Sequence, residues 1–185
     1  PSSLSTGGGG GGSVSIGSTI DGPQGLSITA GSGGVSLGGN VGSTTPLNSF
    51  SIVQNGASFT LASTITTDGA TGVDLDINGA ASILTINQAI DTIAGPGALS
   101  LSADDDLIFG ANGDLSSGNE TITLTADADS VADGTSGALT MDAGTLVNSG
   151  TGQITLSADE DITLGQLTSA FATGGSEAVS VITSS

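Results

Sequence analysis

Short runs in which apolar and polar residues alternate occupy most of the chain. Alternation with a period of two places every second side chain on one face of an extended strand, and Gly, Asn and Asp between the runs favour turns. Only the segment N-Q-A-I-D-T-I at residues 87–93 could instead form one helical turn. The pattern therefore predicts an all-β protein. The runs begin at Val14, Leu26, Val35, Phe50, Phe59, Val73, Ile83, Leu99, Leu107, Ile122, Ile154 and Val179.

One run recurs with nearly the same residues. It reads L-S-L-S-A at Leu99–Ala103, I-T-L-T-A at residues 122–126 and I-T-L-S-A at Ile154–Ala158, and looser copies begin at Leu26 and Leu139. From Leu99 to Val179 the copies follow one another at short but unequal intervals, as in solenoids that add one such strand per coil. A sandwich of hairpins would also contain many short strands, but a parallel β-solenoid (β-helix) with irregular coil lengths accounts for more of the pattern.

Stacked coils bring like residues into columns about 4.8 Å apart. We predict a first inward column of Leu26, Leu99, Ile122, Leu139, Ile154 and Val179. The second inward column is Ile28, Leu101, Leu124, Met141, Leu156 and Val181. A third inward column holds Ala30, Ala103, Ala126, Ala143 and Ala158, where a small residue fits a narrowing corner. The outward column between the first two is Ser27, Ser100, Thr123, Thr140, Thr155 and Ser180.

The composition excludes many classes of chemical function. The chain has no Lys, Arg, His, Cys, Trp or Tyr, and 18 acids give it a formal charge of −18. Without cations it is unsuited to nucleic acid or to anionic membrane surfaces. Thiol chemistry, disulfides and His or Cys zinc sites are excluded. We therefore expect no enzymatic activity, no nucleic-acid partner and no required cofactor.

Acids follow the recurring run at each corner. They are Asp104, Asp105 and Asp106, then Asp127 and Asp129, then Asp159, Glu160 and Asp161. One interpretation is that these side chains cap turn amides. A second is a weak Ca²⁺ site between coils at Asp104, Asp106, Asp127, Asp129, Asp159 and Asp161, because hard cations bind several carboxylate oxygens. A third is a carboxylate-only polysaccharide hydrolase that uses Asp104 with Asp106, or Asp159 with Asp161.

The start of the chain differs from the rest. Six glycines at residues 7–12 follow a Ser-rich start, so residues 1–13 are predicted to be a linker or extended arm and residues 14–185 a single solenoid. No apolar run is long enough to span a bilayer, so no membrane insertion is expected. The chain begins with Pro1 and is expected to be a fragment of a longer polypeptide. The lack of Lys and Arg leaves nothing for trypsin-like proteases to cut, which favours an extracellular location.

Two segments carry a family resemblance. G-L-S-I-T-A-G-S-G-G-V-S-L-G-G-N-V-G-S-T-T-P-L at residues 25–47 and Q-I-T-L-S-A-D-E-D-I-T-L-G-Q-L-T-S at residues 153–169 resemble repeats of giant bacterial surface proteins of the filamentous haemagglutinin type. The resemblance implies a right-handed parallel β-helix, secretion to the cell surface, and a role as an adhesin, stalk or matrix fibre. The expected partners are further coils of the same polypeptide, other copies of it, and cell-surface or matrix polymers.

Overall fold

The computed structural model describes residues 1–6, 11–129, 137–171 and 177–183. Its strands pair in parallel and wind into a β-solenoid of about 7 turns, and the described residues contain no helix. The predicted fold class is confirmed. The strands are β1 (Ser2–Ser5), β2 (Val14–Ile16), β3 (Leu26–Ala30), β4 (Val35–Leu37), β5 (Leu47–Asn55), β6 (Phe59–Leu61), β7 (Ile65–Asn78), β8 (Leu84–Ile86), β9 (Ile90–Thr92), β10 (Leu99–Ala103), β11 (Leu107–Phe109), β12 (Leu115–Ser117), β13 (Ile122–Thr125), β14 (Leu139–Met141), β15 (Leu146–Asn148), β16 (Ile154–Ala158), β17 (Ile162–Thr163), β18 (Gln166–Thr168) and β19 (Val179–Thr183).

Each complete coil contributes a strand to each of three faces. Face 1 contains β1, β3, β5, the second half of β7, β10, β13, β16 and β19. Face 2 contains β6, β8, β11, β14 and β17, and the pair β2–β4 lies beside β6. Face 3 contains the first half of β7, β9, β12, β15 and β18. Because β7 turns the corner from face 3 to face 1, these two faces belong to one continuous 12-stranded sheet.

The columns predicted for face 1 are largely confirmed. Leu99 pairs with Ile122, which pairs with Ile154, and Ala103, Ala126 and Ala158 are all buried. Burial of each Leu or Ile in these columns contributes on the order of 1.5 to 3 kcal/mol. Coil lengths are irregular, as predicted, because the positions that stack in the first inward column are unevenly spaced along the chain. These positions are Leu26, Phe50, Val73, Leu99, Ile122, Ile154 and Val179.

The predicted position of the copy at Leu139 in the face 1 columns is wrong. Strand β14 pairs with β11 and β17 on face 2, so Leu139, Thr140 and Met141 do not belong to the face 1 columns. Ala143 follows β14 and is exposed, not buried. The alternation of L-T-M resembles that of a face 1 strand because both faces bury every second residue. The two short intervals on either side of Leu139 are therefore parts of one long coil that runs from Ile122 to Ile154.

The structure of two other segments, residues 87–93 and the N-terminus, could not be read fully from the sequence pattern. Residues 87–93 form no helical turn, because Ile90–Thr92 is a face 3 strand that pairs with β7 and β12. At the N-terminus, Ser2–Ser5 pairs in parallel register with Leu26–Thr29, which adds a strand to face 1. Residues 7–10 lie outside the described residues.

Candidate functional site

Three of the predicted calcium ligands occupy successive places in one column at the end of face 1. Asp104 and Asp159 directly follow β10 and β16, and Asp127 follows β13 after one intervening residue, Ala126. Continuing the registers of these strands places the three acids at equivalent positions in successive coils. Gly137 lies against two of them, since a Cβ built on it would be 2.7 Å from the Asp127 Cβ and 3.4 Å from the Asp159 Cβ. Carboxylates in adjacent coils about 5 Å apart repel by roughly 0.8 kcal/mol in water. This corner is therefore a line of like charges in a chain with no basic side chain.

The remaining predicted ligands lie elsewhere. Asp106 and Asp161 precede β11 and β17, and the coil between them has Ala138 at this position, so they are two coils, or about 10 Å, apart along the axis. Asp129 is exposed and precedes the segment that the structure leaves undescribed. Within the described residues no three acidic side chains form a group that could hold a metal ion. Calcium binding stays a prediction.

Many corner side chains accept hydrogen bonds from backbone amides of the next coil. The Asp106 carboxylate accepts from the N–H groups of Ala138 at 2.9 Å and Gly137 at 3.2 Å. Asp114 accepts from Leu146 N–H at 2.8 Å. Each turn amide that finds such an acceptor avoids the cost of an unmade hydrogen bond. Among the acids predicted to cap turn amides, Asp106 does so, and its cap links successive coils. Asp114, which was not among them, makes the same kind of link. Further contacts of this type are Asp21 with Thr44 and Thr45, Asn40 with Thr64, Ser58 with Ile83, and Asn119 with Thr151.

The outer surface of face 1 carries two columns of mostly hydroxyl side chains. The first column is Ser3, Ser27, Ser51, Asp74, Ser100, Thr123, Thr155 and Ser180. The second is Ser5, Thr29, Val53, Asp76, Ser102, Thr125, Ser157 and Ile182. Both columns are interrupted by an acid on the same strand. The acids are Asp74 and Asp76, which were not among the predicted site residues although V-D-L-D-I already places them outward.

The environment of Asp74 changes the ionisation of its carboxyl group. The residue is exposed overall, but the neighbouring coils partly enclose its carboxyl group, and this desolvation raises its pKa above the usual 3.8. The negative charge of Asp76 raises this pKa further, while a hydrogen bond with Ser100 opposes the shift. Ser102 donates a hydrogen bond to Asp76 at 2.9 Å. The pair lies on the outer face of a sheet, where the hydroxyls of the next coil bind both carboxylates.

The interior contains polar side chains that were not predicted from the sequence. Gln54 is fully buried in the third inward column, where its neighbours in the ladder are Ala30 and Ile77. Its amide oxygen accepts from Val35 N–H at 2.7 Å and its amide nitrogen donates to the Ala57 carbonyl. These bonds join the turn after β5 to face 2.

Face 3 has a buried hydroxyl column along its second inward position. Thr92 donates to the Gly97 carbonyl at 2.6 Å, Ser117 to the Glu120 carbonyl at 2.6 Å and Ser149 to the Gly152 carbonyl at 2.7 Å. Thr67 occupies the equivalent place in β7, where its hydroxyl is buried without a partner. The recurring pattern of an apolar residue, any residue and then Ser or Thr is the signal that would have revealed this face.

Two surface hollows lie near the N-terminal end. The larger, of about 410 Å³, is lined by Gln24, Asn48 and Thr71 among others, and no carboxylate lines it. The smaller, of about 270 Å³, includes Ile20, Leu26, Leu47 and Asp21. Neither hollow brings together two of the corner acids.

Comparison with known proteins does not place the chain in a family. No family model, no curated protein and no solved structure matches it. In the described part of the chain no helix has the length and apolar character needed to cross a membrane.

Proposed function

We propose that the chain is a structural or adhesive segment of an extracellular bacterial surface fibre of the filamentous haemagglutinin type, without chemistry of its own. The observation that carries this proposal is the repetition of one cross-section along the axis. Parallel coils bury aliphatic columns inside, and side-chain acceptors link one coil to the next. Such an assembly is stiff along its axis and can be lengthened by adding coils.

The distribution of exposed apolar side chains supports growth along the axis. Among the described residues, four of the five large exposed hydrophobics lie on or beside the outermost strands of their faces. They are Leu4 at one end, and Leu164, Val181 and Ile182 at the other. Unpaired strand edges with apolar surface can pair with a further strand. Additional coils from the same polypeptide, or a second copy of it, would cover these residues.

The charge favours contact at the ends over contact along the sides. With no basic side chain and 18 acids, two copies placed side by side repel each other along their length. The ends expose backbone groups and apolar residues, which can offset that repulsion. Addition along the axis is therefore the favoured mode of association.

Electron microscopy of the purified chain tests this mode of association. Rods that lengthen with concentration are expected, and Val181→Glu should shorten them because a charge at the exposed end strand opposes stacking. Ile93→Glu is the matched control, since Ile93 is equally apolar and 56% exposed but lies on a side turn. Equal shortening by both substitutions would contradict end-to-end contact.

A second measurement tests the location. Immunogold labelling of cells that produce the chain should mark filaments outside the cell. Label confined to the cell interior would refute an extracellular fibre, whatever the purified chain does.

A further inference from the structure

We propose that Asn78–Gly79 is a latent self-modification site, which the Asp104 carboxylate of the following coil keeps unreactive. The sequence contains three Asn–Gly pairs, at residues 55–56, 78–79 and 112–113. Asn–Gly is the dipeptide in which an asparagine side chain cyclises most readily, because glycine has no side chain to obstruct the attack. The proposal concerns the chemical lifetime of the protein and does not depend on where it acts.

The reaction needs a free backbone nitrogen. The Gly nitrogen loses its proton and attacks Cγ of Asn, forming a five-membered succinimide, while the Cγ–N bond breaks and ammonia leaves with the proton. Water then opens the ring to aspartate or isoaspartate. No oxidant or cofactor takes part, so the protein and water supply every atom.

The fold engages the Gly nitrogen of all three pairs. Gly56 N–H donates to the Asn78 carbonyl at 2.6 Å, and Gly113 N–H donates to the Gly110 carbonyl at 2.8 Å. Gly79 N–H donates to the carboxylate of Asp104. Of these three acceptors, only the Asp104 carboxylate belongs to a side chain, and it carries a negative charge. A nitrogen that lost its proton there would face that charge, so Asp104 opposes deprotonation as well as fixing the peptide.

The corner also requires glycine at position 79. Its φ is +120°, and a Cβ there would lie 2.9 Å from Cα of Gly56 and 2.9 Å from the Ser82 hydroxyl. A larger residue, which would slow cyclisation, therefore does not fit. Asn78 precedes it in the same corner position that Asp104 takes one coil later. Modification would thus add a carboxylate beside the acids of this column.

The test follows modification at each pair during incubation in mildly alkaline buffer. Cleavage before aspartate releases residues 76–90, 21–67 and 106–113 as separate peptides, and mass spectrometry measures the initial rate of amide loss in each. In Asp104→Ala the rate at Asn78 should rise about tenfold, the factor expected from losing a hydrogen bond of this type, with Asn55 and Asn112 unchanged. Asp104→Asn keeps an acceptor oxygen but removes the charge, so the rate at Asn78 should lie between those of the original chain and of Asp104→Ala. Asp106→Ala removes a different corner acceptor and should leave Asn78 unchanged.

Two results would overturn the proposal. One is an unchanged rate at Asn78 in Asp104→Ala, and the other is an equal rise at all three pairs, which would indicate general opening. Amide hydrogen exchange of Gly79 in the unsubstituted chain gives an independent answer if the alanine variant fails to fold. Slow exchange is expected, and exchange at the rate of the urea-unfolded chain would show that the nitrogen is not held.

Discussion

At the scale of single residues, buried polar side chains stabilise places where the repeat is broken. Gln54 stands where the alanine column continues in other coils, and its amide supplies both a donor and an acceptor to the neighbouring turn and strand. A buried N–H or C=O that loses its partner costs about 1 to 3 kcal/mol. The break in the column is therefore compensated by hydrogen bonds across the interior.

Gln54→Ala should lower the free energy of unfolding by about 2 kcal/mol, because Val35 N–H and the Ala57 carbonyl lose their partner. Urea denaturation followed by circular dichroism measures the change. Gln24→Ala is the control, since Gln24 is exposed and should shift the midpoint little. A loss of similar size in both variants would assign no special role to Gln54.

The raised pKa of Asp74 predicts how the stability of the folded state changes with pH. A carboxyl with a higher pKa in the folded state binds more protons than in the unfolded state, so stability falls as the pH rises from the unfolded value of 3.8 through the folded value. Asp74→Asn should therefore melt at a higher temperature than the original chain at neutral pH. The difference should vanish below pH 3.8, where both states are protonated. A lower melting temperature at neutral pH would contradict this assignment.

At the scale of elements, glycines allow the strands to turn from one face to the next. β7 continues from face 3 to face 1 through Gly69 and Gly72. Gly72 has φ +72°, and a Cβ on it would collide with the Ala98 carbonyl oxygen of the adjacent coil. This corner therefore requires glycine both for its backbone conformation and for the close approach of the next coil.

Gly72→Ala should destabilise the chain by about 2 kcal/mol or more, combining backbone strain with a steric clash. Gly144→Ala is a matched control, because Gly144 also has a positive φ of +106° but no atom lies within 4 Å of a Cβ there. It should cost only about 1 kcal/mol. Thermal melting of both variants separates strain from crowding, and equal losses would show that the Ala98 contact carries no cost.

At the scale of the whole molecule, the charge is of one sign. A formal charge of −18 with no basic side chain means that no salt bridge between side chains can form, and screening can only relieve repulsion. The line of Asp104, Asp127 and Asp159 concentrates this charge at one corner.

Salt should therefore raise the melting temperature. Increasing NaCl from about 0.01 M to about 0.15 M shortens the range of charge interactions from roughly 30 to roughly 8 Å. CaCl₂ at the same ionic strength tests the calcium hypothesis, since an additional rise that chelator reverses would indicate binding at the corner acids. Equal curves in the two salts would remove calcium. A fall on adding NaCl would contradict the repulsion argument.

The assignment of strands to the three faces could be only partly predicted from the sequence. The columns of face 1 were predicted because residues such as Leu99 and Leu101 alternate with polar ones, and a face 2 strand such as Leu107–Phe109 was recognised as a strand without being assigned to a separate face. Face 3 was not predicted because strands such as Ile90–Thr92 contain one buried aliphatic followed by a buried hydroxyl, and therefore lack the two alternating apolar residues seen on the other faces. Of the predicted corner acids, Asp104, Asp127 and Asp159 lie in one column, whereas Asp106, Asp129 and Asp161 lie elsewhere. Bonds between corner acids and amides of adjacent coils depend on the coil spacing, which the misassigned copy at Leu139 obscured.

The sequence by itself determined the class of fold and the cross-section of face 1, because strand periodicity and the recurrence of L-S-L-S-A need only local geometry. Tertiary structure alone decided which strand belongs to which face, since L-T-M and L-S-L satisfy the same alternation. It also decided which corner side chain caps which amide of an adjacent coil, because those partners are far apart along the chain and meet only when coils stack. The hydrogen bond from Gly79 N–H to the Asp104 carboxylate is such a contact, since it joins residues that are 25 positions apart.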